Sequence, residues 1–195
     1  MVLEVANIGR VGLADVFREL DYKIGVEVGV AAGWYSTKIM ERNPQLLLYG
    51  IDPWISYEGY TDYKLKSTFK TLEEQAHARL DKYPNYKFVK EFSMDAVQQF
   101  EDNGLDFVYI DGNHASPFVD QDINEWYKKV KPGGILAGHD YTKTKGRPYR
   151  PPNNNTIAAT NKFADENKLI LFLLGTKAIR EGEVRDKVRS WMICK

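Results

Sequence analysis

The sequence predicts an α/β fold, a doubly wound and mostly parallel sheet whose last strand runs antiparallel. Three observations carry this reading. Short apolar runs of strand length alternate with segments whose apolar residues recur every three or four positions. Several of the runs are continuously apolar, as strands covered on both faces are. The C-terminus alone breaks the alternation, because a short charged stretch containing Gly182 separates Leu174 from Ser190. That gap suits a hairpin connection better than a helical crossover.

The strands are expected at Ile24 to Val28, Leu46 to Ile51, Tyr86 to Val89, Leu105 to Ile110, Gly134 to Ala137 and Leu169 to Leu174, with "SWMIC" (190–194) as the last. Leu65, Phe69, Leu72, Ala76, Leu80 and Tyr83 form one face of a long helix that ends near Pro84. Val119, Ile123, Trp126 and Val130 repeat the spacing after Pro117, a residue suited to a first turn. A weaker pattern covers Ile157, Ala158, Phe163 and Ala164. Residues 1–21 read as an N-terminal helical extension, and the whole of 1–195 as one domain.

With 27 basic and 27 acidic residues, no net field recruits nucleic acid or an anionic membrane. The single cysteine, Cys194, excludes an internal disulfide and reads as small apolar filler. No apolar stretch approaches membrane-spanning length, and no secretion signal opens the chain, so a cytoplasmic location is expected. A homo-oligomer remains compatible with the N-terminal segment.

The chemistry gathers at strand ends. In "GVEVGVAAGWYSTKIM" (25–40), strand passes into helix through Gly29 and Gly33. Glycine there permits positive φ and close approach of a ligand to backbone amides, although tight packing also explains it. Glu27 places a carboxylate inside the strand, where burial is costly. Asp52 closes the second strand in "LYGIDPW", where it suits ribose hydroxyls or caps a turn. Ala31 and Ala32 break the G-x-G-x-x-G spacing that seats a pyrophosphate. A nucleoside carrying an amino acid in place of phosphates fits better, with Glu27 or its neighbours orienting the ammonium.

Taken together, "EVGVAAGWYS", "IDPW", "DFVYIDGNH" and "KPGGILAGHDY" resemble a class I S-adenosylmethionine-dependent methyltransferase. The subgroup is similar to macrocin O-methyltransferases and cephalosporin-hydroxylase-like proteins, over roughly residues 22–194. The resemblance implies a seven-stranded Rossmann-like sheet with an antiparallel final strand. It also implies a cofactor set of Glu27, Gly29, Gly33, Ser36, Asp52, Ser93 and Asp111. Within it the glycines lie under the methionine moiety, Asp52 on the ribose and Ser93, in "VKEFSMDAV" (89–97), near adenine. Ser93 equally suits an N-cap for a helix from Met94 to Phe100.

The fourth and fifth strands end alike, in Asp111 and in the pair His139-Asp140. If these strands are neighbours, the three side chains share one rim. Two carboxylates repel unless a cation or shared proton relieves them. A divalent cation such as Mg²⁺ or Mn²⁺, held by Asp111, His139 and Asp140, would answer both and bind a substrate hydroxyl. His114, three residues beyond Asp111, then acts as general base. Structural readings stand beside these: Asp140 as a cap, His139 as a rim filler, His114 as an ordinary loop histidine. His77, in the long helix, reads as a surface residue.

The acceptor is expected to be a glycan or small metabolite rather than a macromolecule. Its walls are expected in 54–63 and 140–155, with Tyr57, Tyr60, Tyr149 and Arg150 as candidates. The N-P-P-[FYW] signature of amino-group methylation is absent after the fourth strand, which favours oxygen as nucleophile. The alternatives are a nicotinamide oxidoreductase and a non-catalytic cofactor-binding protein.

Overall fold

The computed structural model describes residues 1–60, 66–142, 154–176, 181–186 and 188–195. They build one eight-stranded sheet: β1 (Val2–Val5), β2 (Ile24–Val28), β3 (Leu47–Ile51), β4 (Tyr86–Val89), β5 (Leu105–Ile110), β6 (Val130–Tyr141), β7 (Leu171–Leu174) and β8 (Arg189–Cys194). The order across the sheet is β1-β7-β8-β6-β5-β2-β3-β4, and only β8 pairs antiparallel to its neighbours. The hairpin expected from the short gap after Leu174 is the β7–β8 pair.

Helices α1 (Arg10–Glu19), α2 (Trp34–Arg42), α3 (Lys66–Leu80), α4 (Ser93–Ala96), α5 (Phe118–Lys129) and α6 (Thr156–Glu166) cover both faces. The side chains of β5 decide which helices go where. Val108 and Ile110 point to a core shared with Ile123 and Trp126 of α5 and Phe163 of α6. Phe107 and Tyr109 point the other way, to Leu13 and Phe17 of α1, Ile39 of α2 and Leu80 of α3. This period-two division of a wholly buried strand is why Phe107 to Ile110 read as an unbroken apolar run, with Asp106 the one charged residue of β5. No helix among the described residues is long and apolar enough to cross a membrane.

Two expectations change. The N-terminal segment is not simply helical. Val2–Val5 pair in register with Leu171–Leu174, adding an eighth strand at the sheet edge, and the helix begins only at Arg10. Cys194 is exposed at the end of β8 rather than packed.

The chain runs outward through β2, β3 and β4 on one side and through β5 and β6 on the other. The reversal falls between β2 and β5, and a ligand crevice opens beyond the carboxyl ends of strands at such a point.

Candidate active site

A cavity of about 870 Å³ opens at this reversal, lined from the ends of β2, β3, β5 and β6. Its floor is the turn from β2 into α2. Gly29 has φ +90, and an added Cβ would lie 2.2 Å from the Asp111 carbonyl oxygen. The glycine is therefore required by the neighbouring strand's backbone as well as by any ligand. Gly33, φ +77, is the N-cap of α2, and its added Cβ would meet Leu80 Cδ1 at 2.7 Å.

Asp52 ties two loops together: Oδ2 accepts from Ala31 N at 2.9 Å, Oδ1 from Trp54 N at 2.8 Å. Burial pushes its carboxyl above the usual range, against these amides. The turn-capping role is thus filled, and a carboxylate retains lone pairs beyond the two in use. Ala31 (φ +49), Trp54 (φ +45) and Asp140 (φ +56) are all left-handed, and all three line the cavity. Left-handed non-glycine residues, Trp above all, carry strain that clusters at functional sites.

Glu27 is 1% exposed and lines the cavity. Burial pushes its carboxyl up to about 8, against a hydrogen bond from Ser36 Oγ and the Arg10 charge. Ser36 itself is fully buried, its hydroxyl shared between Glu27 and Tyr86 (3.1 Å), so it meets the cavity through Glu27. The pH consequence has a definite sign. Folding takes up a proton at Glu27, so its contribution is intact below about pH 4.5 and is lost as pH rises towards about 8. Glu27→Gln is expected to flatten that loss, on the order of 2 kcal/mol relative to wild type between about pH 6 and 8, in urea denaturation.

The second lip is assembled by register. Ile110 pairs with Gly138, so Asp111 and His139 stand at adjacent strand ends. His139 Nδ1 lies 3.6 Å from Asp111 Oδ1 and 3.2 Å from Asp140 Oδ2. One ligand atom each from Asp111, His139 and Asp140 lies within 4.8 Å of the others. His114 Nε2 reaches Asp140 Oδ2 at 3.0 Å and Asp111 Oδ1 at 3.8 Å. Burial lowers the basicity of His139, but Asp111 and Asp140 overcome it and raise the imidazole to about 9. Burial would raise Asp140, yet His114 and His139 hold it well below the usual carboxylate range. The O, N, O donor set and its spacing fit a divalent cation of the Mg²⁺ or Mn²⁺ type.

Two residues of the site escaped sequence reading. Arg10, the first residue of α1, reaches across to bond Asp111 Oδ2, with its guanidinium 4.3 Å from the Tyr35 ring centre and 5.3 Å from that of Tyr109. Burial opposes its charge, but Asp111 more than restores it, and Arg10 in turn helps hold Asp111 below the usual carboxylate range. A cation in the first turn of a helix opposes the macrodipole, which is the local signal. Asp122 of α5 lies on the same buried face as Val119, Ile123 and Trp126, and burial pushes it up to about 7. An acid on an apolar helical face marked it.

Ser93 lines the cavity but does not cap a helix. It is the first residue of α4, it donates to Asp122, and it accepts from Trp126 Nε1 at 2.8 Å. Tyr57 and Tyr60 form an aromatic wall with Phe92 and Phe118, ring centres 5.2 to 5.7 Å from Tyr57. Tyr149 and Arg150 lie outside the described residues. His77 is packed on the Phe88 ring, centres 4.0 Å apart, away from the site.

Residues 24–141 match the family model described as a methyltransferase domain. An uncharacterized protein of Acanthamoeba polyphaga mimivirus is 29% identical over 180 residues, 90% of this chain and 77% of that protein. Among solved structures, one described as a caffeoyl-CoA O-methyltransferase from Staphylococcus aureus has a TM-score of 0.67 at 13% identity, covering 94% of this chain and 81% of that one. A Bacillus cereus O-methyltransferase in complex with SAH has a TM-score of 0.65 at 12% identity, covering 95% and 80%. TomG from Streptomyces achromogenes, an O-methyltransferase of tomaymycin synthesis in complex with SAM, gives 0.61 at 14%, covering 95% and 79%. These structures share the fold. The family match spans more than half of the chain and includes Glu27, Asp52, Asp111, His114, His139 and Asp140; the protein belongs to the methyltransferase domain family.

Proposed function

We propose that this chain is an S-adenosylmethionine-dependent O-methyltransferase acting on a hydroxyl of a sugar or other small metabolite. The observation that carries the reading is the convergence of Asp111, His114, His139 and Asp140 on one rim of the cavity that the Gly29–Gly33 turn and Asp52 floor. The cofactor-bound relatives described above support the donor, and the macrocin-like resemblance of the strand-end motifs supports an oxygen acceptor.

Bound S-adenosylmethionine supplies a methyl group already activated by its sulfonium, which leaves position and exclusion of water to the protein. Asp52, fixed by the Ala31 and Trp54 amides, offers its remaining lone pairs to the ribose. The wall of Tyr57, Phe92 and Phe118 excludes water from one side of the cavity. Asp111, His139 and Asp140 would hold a divalent cation, which would lower the pKa of the acceptor hydroxyl. His114 stands at the same rim, its Nε2 3.0 Å from Asp140 Oδ2, and would take the acceptor's proton as the oxygen attacks.

Incubating the protein with S-adenosylmethionine and a panel of hydroxylated acceptors is expected to release S-adenosylhomocysteine only with a competent acceptor. His114→Ala is expected to slow that release about 10²-fold or more. Release that is insensitive to His114 removes the base, and no release with any acceptor removes the reaction. Separately, millimolar Mn²⁺ is expected to raise the wild-type melting temperature by a few degrees and to leave Asp140→Ala unmoved. An unresponsive wild type takes the cation out of the scheme.

A further inference from the structure

We propose that Arg10 anchors the carboxylate at the amino-acid end of the adenosyl ligand, an inference that rests on the S-adenosylmethionine reading above. The ligand's carboxylate must enter a cavity lined by six carboxyl groups, Glu27, Asp52, Glu91, Asp111, Asp122 and Asp140, of which Asp111 and Asp140 are held ionised. An anion there needs a dedicated cation. Among the described residues, the Lys and Arg side chains lining the cavity are Arg10 and Lys38. Lys38 is 43% exposed and pairs with Glu41 at 2.9 Å. Arg10 is the inward one.

Its donors are only partly used. One edge of the guanidinium bonds Asp111, while Arg10 Nε is buried without a hydrogen-bond partner among the described residues. A buried N–H left unpaired is costly, so its persistence points to a partner that arrives with the ligand. The guanidinium lies over Tyr35, the second residue of α2, beside the turn that begins at Gly29. That places the planar five-donor fork, suited to carboxylates, at the amino-acid end of the cavity. Asp111 and the ring of Tyr35 fix its orientation in advance, and the Tyr35 hydroxyl holds the Arg10 backbone carbonyl at 2.9 Å.

The test compares S-adenosylhomocysteine with its decarboxylated analogue, S-adenosyl-3-thiopropylamine, by calorimetry on wild type, Arg10→Ala and Arg10→Lys. Wild type is expected to prefer the carboxylate-bearing ligand by about tenfold or more, as charge-assisted bonds do. Arg10→Ala is expected to reduce that preference to about twofold, with circular dichroism reporting an intact fold; Arg10→Lys is expected to fall between. A preference undiminished in Arg10→Ala, or an equal weakening of both ligands, overturns the assignment. If the alanine variant does not fold, Arg10→Gln, which retains a donor for Asp111, is read in the same way. A wild type that binds neither ligand refutes the S-adenosylmethionine reading itself, so the two failures are told apart.

Discussion

Asp111→Ala is expected to lower methyl transfer by on the order of 10²–10³-fold and to destabilise the fold by about 2–3 kcal/mol. The two losses have different origins. Asp111 is the hub of the rim, within 3.6 Å of His139 and 3.8 Å of His114, so its removal takes a ligand from the proposed cation site and a partner from both imidazoles. It also leaves Arg10 as a largely buried cation without its carboxylate. Breaking a buried pair is commonly worse than deleting it. The double variant Arg10→Ala/Asp111→Ala is therefore expected to recover part of the stability and none of the activity. Urea denaturation and turnover on the single and double variants measure this as a cycle. Full recovery of activity in the double variant would show that Asp111 serves only to neutralise Arg10.

Gly29→Ala is expected to cost more than about 3 kcal/mol, a fall in melting temperature of about 10 °C. Positive φ contributes roughly 1 kcal/mol of this. The rest comes from the obstacle itself, which is backbone: the Asp111 carbonyl oxygen at 2.2 Å and Gly112 N at 2.6 Å from the added Cβ. To admit the methyl group, β2 and β5 must part at their carboxyl ends, where the site is built. Gly33→Ala is expected to cost less, because its nearest obstacle is the tip of Leu80 at 2.7 Å, which can turn aside. A thermal melt ranks the two, and equal costs would mean that the sheet opens more easily than its register suggests.

Much of this was legible in the sequence, for a physical reason. The central strands β2 and β5 are buried on both faces and mostly apolar, Glu27 and Asp106 apart, so they begin and end where the apolar patterning does. The polar residues that close such runs stand at the sheet's carboxyl rim, which exposes Asp52, Asp111 and His139 to inspection. What could not be read depends on distant contacts. Val2–Val5 is short, largely exposed and becomes a strand only by pairing with Leu171–Leu174. Arg10 joins the site across 101 residues of sequence, and periodicity carries no trace of that. Ser93 was ambiguous because its cap partner is local, while the Asp122 it meets lies 29 residues away. Asp122 carried a signal that went unread, an acid on the buried stripe of α5, whereas the carboxylate of Glu27 inside β2 was read directly.

The glycine spacing after β2, broken by Ala31 and Ala32, lacks the seat of a dinucleotide's pyrophosphate, and the proposed function depends on that difference. Parallel calorimetric titrations of the wild type with S-adenosylhomocysteine and with NADH test it most directly. The account predicts saturable binding of one S-adenosylhomocysteine per chain and no heat from NADH; saturation by NADH with silence from S-adenosylhomocysteine would contradict it.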